Sequence, residues 1–212
     1  MIYIISLTIL YGLFPFLVFL FNRNKIANNA NAILPFVLLV FFSAIYEFVF
    51  TVLLRWDVGN WYLTYCVVSF LTLFYFYKEI LSNAKSKLKI TSFIFFLIIL
   101  FYLFYRFDVQ DFLKICYNID TYITVFIFIF SIIWFRKIFR ELEYESLWDI
   151  PYFYVVSGLI LYYFGNFFLF LMTELIYKND SNLFQYYWLL NVVLNLVLRT
   201  LLIVGIWKAR VR

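Results

Sequence analysis

The 212-residue chain contains no histidine, five glycines, three prolines and two cysteines, and only 14% of its residues are charged. Without imidazole, zinc centres, haem ligation and histidine proton shuttles lack their usual ligand or base. The five glycines are isolated, so no phosphate-cradling loop is available. The long apolar runs carry no lysine, which excludes a retinal Schiff base, and none holds two carboxylates. Catalytic residues, metal ligands and cofactors are therefore not expected, and the chain does not read as an enzyme. Scarcity of charge also excludes a water-soluble globule, which carries close to a quarter charged residues.

What fills the space is apolar: 67% of the residues, with 30 Phe and 19 Tyr. Apolar runs fall at about 2–21, 32–54, 61–77, 90–105, 117–135, 152–172 and 184–207. Each is long enough, with snorkelling flanks, to cross a bilayer of ~30 Å as a helix. Lipid offers backbone amides no partner, so an unbroken run of this kind must be helical, and no alternation suited to a barrel occurs. The expectation is an all-α membrane protein, a single seven-transmembrane-helix bundle over 1–212. Residues 2–21 read as a span and not as a cleaved leader, because no basic region precedes them. No appended soluble domain is expected.

Lysine and arginine set the orientation. Twelve fall in the first, third and fifth connections and at the C-terminus, against four in the second, fourth and sixth. That places the N-terminus outside and the C-terminus in the cytoplasm. The net charge of +5 follows from this bias and from contact with anionic lipid, so nucleic acid is not an expected partner. The stretch 136–149, with its Lys137–Glu141 spacing, suits a helix that runs out of the membrane. Cys66 falls about one and a half turns into the third span from the outside and Cys116 just before the fifth, both in the outer half. They serve either as small apolar fillers or, on an oxidising side, as a bonded pair.

Charged and amide side chains inside spans are the main functional pointers, since burying a charge in the bilayer costs at least ~2.5–3.5 kcal/mol. Glu47, Asn166 and Asn191 each lie about 10 Å below the outer boundary at the helical rise. They are expected to form one ligand-binding layer, with Tyr65 and Trp188 in its aromatic wall. The competing reading makes them interhelical hydrogen bonds. Asn191, Asn195 and Arg199 recur every fourth residue as one structural polar stripe, and Glu47, Thr51 and Arg55 form another. Arg199 either pairs within the bundle or snorkels toward the cytoplasm, and lies too far from Glu47 for a direct salt bridge.

PYFYVVSGLILYYFGNFFLF at 151–170, YYWLLNVVLNLVL at 186–198, AIYEFVFTVLL at 44–54 and FLTLFYFYKEIL at 70–81 together resemble small seven-helix inner-membrane proteins of Bacteroidota. The shared pattern is S-G-x-x-x-Y-x-x-G-N at 157–166, with an acid in the second helix and Asn in the last. Some members of that family are encoded near sensor histidine kinases. The resemblance implies a bacterial inner-membrane location and a signalling partner such as a histidine kinase, and carries no catalytic residues with it. Three functions fit these observations. The first is a sensor or signalling subunit that binds a small ligand from the outer side. The second is a small-solute transporter with a 3+1+3 helix arrangement, and the third a structural subunit of a larger membrane complex.

Overall fold

Pro15 has no amide hydrogen to give a helix, and Gly12 is a poor helix former, so the first apolar run is the one most prone to interruption. The computed structural model describes residues 2–26, 28–55, 59–81, 94, 98, 112–141, 146–179 and 181–210, and in it that run is broken. Helix α1 (Ile2–Tyr11) ends in a turn whose Gly12 and Leu13 amides reach three residues back, to the Ile9 and Leu10 carbonyls at 2.9 and 3.1 Å. Helix α2 (Phe14–Asn22) restarts with Pro15 in its first turn, where the missing donor costs nothing.

A second irregularity sits in the next span. Helix α3 (Leu34–Tyr46) opens with Pro35 in its first turn and passes at Glu47 into a π-helix, Glu47–Leu53. The π-helix ends where the Leu54 amide reaches five residues back to the Val49 carbonyl at 3.0 Å. Arg55, in the left-handed region at φ 54°, turns the chain away. The remaining helices are unbroken: α4 (Gly59–Ile80), α5 (Phe112–Glu141), α6 (Pro151–Asn179) and α7 (Ser181–Lys208). The fifth expected run thus extends well beyond 117–135 at both ends and the sixth beyond 172 at its C-terminal end, because polar residues continue each helix past its apolar part, while the seventh is close to 184–207.

Six stretches are long and apolar enough to cross a membrane: Ser6–Lys25, Asn31–Leu53, Trp61–Ile80, Ile119–Arg140, Pro151–Leu169 and Tyr187–Lys208. The expected fourth span, 90–105, lies outside the described residues except for Ile94 and Ile98. No strand occurs among the described residues; Ile26 and Arg210 form an isolated bridge. The chain is an all-helical, multi-pass membrane protein. Its described surface fits that setting, with Phe21, Leu7 and Phe168 all well exposed, as residues facing lipid would be.

The spans close into a ring. The α1–α2 span packs on α3 and on α7, α3 on α4, α4 on α5, α5 on α6, and α6 most extensively on α7. Between α4 and α5 the seam is aromatic: Phe70, Tyr77, Phe126 and Phe130 meet edge-on or tilted, and the Tyr77 hydroxyl lies 2.6 Å from Ser131 Oγ. Between α6 and α7 the seam depends on glycine, because lipid exerts no squeezing force and close backbone approach must supply the contact. A Cβ on Gly158 would stand 3.1 Å from Leu201 Cβ, one on Gly165 2.7 Å from Leu194 Cδ1, and one on Gly205 2.8 Å from Val155 Cγ2 and 3.1 Å from the Pro151 carbonyl. Leu194 can swing its tip aside, whereas the Pro151 carbonyl is fixed. Gly205→Ala should therefore destabilise the bundle by about 1–3 kcal/mol and Gly165→Ala by less than about 1 kcal/mol, measured by thermal unfolding in detergent.

The two chain turns nearest the C-terminus are tied to it. Lys208 pairs with Asp149 at 3.5 Å, Arg210 stacks over the Trp207 ring at 3.1 Å, and Arg210 Nη1 reaches Asn22 Oδ1 at 3.5 Å. With the Ile26–Arg210 bridge, these contacts bind the first and fifth connections to the end of α7. An apolar pocket lined by Phe19, Ile26, Ile33, Tyr152, Ile206 and Ala209 lies at this same end.

Candidate functional site

Helix α1, which ends at the break in the first span, packs directly on the π-helix of the second, and a charged side chain of α7 lies beside the break. Arg199, 5% exposed, donates from Nη1 to the Thr8 carbonyl, one turn before the break. Gly12 makes the approach possible: a Cβ there would stand 3.0 Å from Arg199 Cζ and 2.9 Å from Ala44 Cβ. Arg199 therefore does not snorkel. Its guanidinium stays inside because the glycine leaves room for it and a backbone carbonyl receives it.

Glu47 is one turn beyond Ala44, at the first residue of the π-helix. Its Oε1 accepts from Ser43 Oγ at 2.8 Å. Glu47 and Arg199 interact electrostatically, and Tyr65 of α4 feels both charges, yet no direct ion pair joins the acid to the guanidinium. The expected separation of Glu47 and Arg199 thus holds at the level of contact but not of field. Tyr46 closes over the π-helix by stacking on Phe50 at 4.6 Å and on Trp61 at 4.3 Å. A π-helix widens the turn and aims side chains that an α-helix would pack away, which is why such segments concentrate at functional sites.

Asn166 and Asn191 belong to a different place. Gly158 faces Leu201 and Gly165 faces Leu194, so the register of the α6–α7 seam sets Asn166 at the level of Val193. At the helical rise, Asn166 and Asn191 lie about 9 and 12 Å from Arg199 toward the Ser181 end. Asn166 is fully buried and donates from Nδ2 to the Tyr162 carbonyl at 2.9 Å. No hydrogen bond among the described residues joins either asparagine to Glu47. Glu47, Tyr65 and Arg199 thus share an electrostatic neighbourhood, and neither asparagine is hydrogen-bonded to any of them among the described residues. Trp188 and Asn195 are partly buried on α7, the second along the same stripe as Arg199.

One acid escaped the sequence reading. Asp120, expected near the start of a span, lies two turns inside α5 and is 7% exposed. Its Oδ2 accepts from the Tyr62 hydroxyl at 2.6 Å and its Oδ1 from the Cys66 thiol at 3.6 Å. The Cys66 thiol is thus turned to Asp120, and the side chain of Cys116, its expected alternative partner, lies outside the described residues. The signal that could have found Asp120 is its setting between Ile119 and Ile123, both fully buried, with Thr124 one turn on donating to its carbonyl at 2.7 Å.

Five buried atoms around these groups have unused hydrogen-bonding capacity: Arg199 Nε, Trp61 Nε1, Thr51 Oγ1, Asn166 Oδ1 and Asn191 Oδ1. Native interiors leave few such atoms, because each costs about 1–3 kcal/mol of lost hydration. Three His, Cys, Asp or Glu side chains nowhere converge among the described residues, so these residues supply no metal-binding group. No protein-family model, curated protein or solved structure matches the chain.

Proposed function

We propose that this is a seven-helix membrane sensor or signalling subunit, without catalytic chemistry of its own, that binds a small polar ligand in the bundle. The observation that carries the reading is the unused hydrogen-bonding capacity beside a buried guanidinium: Arg199 Nε, with Trp61 and Thr51 toward the aromatic lid. An intramembrane charge marks a functional site by default, because nothing in a bilayer retains it cheaply. Helix α7 supports the signalling half of the proposal. It carries Arg199 at the site and Lys208 nine residues later at its end, with Arg210 just past it in the tied basic end. A ligand that moves Arg199 would move those contacts through one continuous helix. In this reading the N-terminus is outside, the basic end faces the cytoplasm of a bacterial inner membrane, and a kinase-type signalling protein docks there.

A transporter is the second reading, favoured by the helix break and the π-helix lying side by side around the buried charge. Interrupted spans at a central site are how transporters coordinate their substrates. One experiment addresses both. Purified protein is screened by thermal shift against small polar solutes, and hits are tested for uptake into proteoliposomes. A sensor should be stabilised without uptake. Glu47→Gln should lose the stabilisation while its ligand-free melting temperature stays within about 2 °C, a change under ~1 kcal/mol for a chain this size. Retained stabilisation in Glu47→Gln would remove the acid from the site.

A further inference from the structure

The first connection and the end of the chain meet where two spans run out, at Lys25 and at Lys208. That is the level at which hydrocarbon gives way to headgroups. The single turn Arg23–Lys25 and Arg210 are held together there by neutral contacts. Arg210 Nη1 reaches Asn22, the residue before Arg23, and the Arg210 backbone bridges Ile26, the residue after Lys25. Asn22 is itself fixed: it is 8% exposed and donates from Nδ2 to the Val18 carbonyl at 2.7 Å. The other partners of Arg210 are the Trp207 ring and the Trp207 carbonyl, 3.0 Å from Nε. Among the described residues no carboxylate pairs with Arg23, Lys25 or Arg210, and Asp149 is engaged by Lys208. Like charges drawn together in this way repel one another, and more strongly at an interface than in bulk water.

We propose that Arg23, Lys25 and Arg210 form a binding site for one anionic phospholipid of the leaflet at this end. Clustered Lys and Arg at a membrane surface attract acidic headgroups, and a phosphate is the counter-charge the cluster lacks. The surroundings favour a lipid over a water-soluble anion or an acidic protein, because the cluster is continuous with apolar surface. Phe21 near the end of α2 is 85% exposed, and Trp207 near the end of α7 is 54% exposed. These two helices pack on each other, so both rings flank the cluster. Ile26 and Ala209, next to Lys25 and Arg210, line the apolar pocket together with Phe19. A headgroup held by the three cations lays its acyl chains against this apolar surface, which a soluble acid would leave bare. Trp207 also suits the headgroup level, where tryptophan rings concentrate. The site needs no ligand inside the bundle, so it stands or falls separately from the sensor reading.

The test titrates the full-length protein, stripped of lipid in detergent, with phosphatidylglycerol or phosphatidylcholine and counts bound lipids by native mass spectrometry. One phosphatidylglycerol should be held on the order of a hundredfold more tightly than phosphatidylcholine, about fivefold for each cation. Arg23→Gln and Lys25→Gln, both at exposed positions, should each weaken phosphatidylglycerol about fivefold and leave the lipid-free melting temperature unchanged. Arg210→Gln should weaken it at least as much, and the other two variants decide the matter should this one fail to fold. Arg140→Gln, which removes an exposed cation at the end of α5, should leave binding unchanged. Equal affinity for the two lipids overturns the proposal, and so does an equal loss in Arg140→Gln, since the attraction would then be diffuse. Glycerol phosphate or an acidic peptide that competes as strongly as phosphatidylglycerol overturns it too, because the cluster would then serve a soluble partner.

Discussion

Arg199→Met should destabilise the bundle by about 3 kcal/mol. Taking a charged hydrogen-bond donor from a buried carbonyl typically costs ~1.5–3 kcal/mol. Here Glu47 loses the positive charge it feels, and the Thr8 carbonyl loses a charged donor. At roughly 2–4 °C per kcal/mol for a chain of this size, the melting temperature in detergent should fall by about 6–12 °C. Arg199→Lys keeps the charge but not the planar donor set that meets a carbonyl beside Gly12, so it should restore only part of the loss. A methionine variant that melts with the wild type would mean the guanidinium contributes nothing inside the bundle.

Gly12→Ala should have nearly as large an effect, although it adds only one methyl group. The new Cβ would meet Ala44 Cβ at 2.9 Å, the Ile9 carbonyl at 3.0 Å and Arg199 Cζ at 3.0 Å. Two of those three neighbours are fixed to backbone and cannot swing aside. Either the first and second spans separate or the guanidinium leaves the Thr8 carbonyl, and overpacking of this kind costs about 1–3 kcal/mol. The rescue is specific: Ala44→Gly in the same chain removes the nearest clash and should recover part of the melting temperature. An unchanged melting temperature for Gly12→Ala, or a double variant no better than the single, would show that the turn does not hold Arg199 in place.

Particular residues show what could be read in the chain and what could not. Glu47 and Arg199 were visible because each interrupts a long apolar run, and a bilayer makes any such charge conspicuous. Tyr65 followed from its depth. Asp120 was obscured because it stands at the start of the apolar run 117–135; the helix begins at Phe112 and carries it two turns inside. The single layer of Glu47, Asn166 and Asn191 was inferred from depth alone, and depth does not fix the face of a helix or its register. The glycine seam between α6 and α7 fixes the register of those two helices, and no hydrogen bond among the described residues joins either asparagine to the acid.

The sequence by itself determined that the chain lives in a membrane as helices, because apolar surface and backbone amides leave a long run no alternative in lipid. It also determined which side chains would be costly there. Tertiary structure alone decided how those costs are met. The break at Gly12 sets Arg199 against the Thr8 carbonyl, the π-helix presents Glu47 without pairing it to Arg199, and α4 brings Tyr62 and Cys66 onto Asp120. The reason is physical. The cost of burying a charge belongs to one residue and is written in the sequence, but its compensation belongs to neighbours from distant parts of the chain, and only packing chooses them.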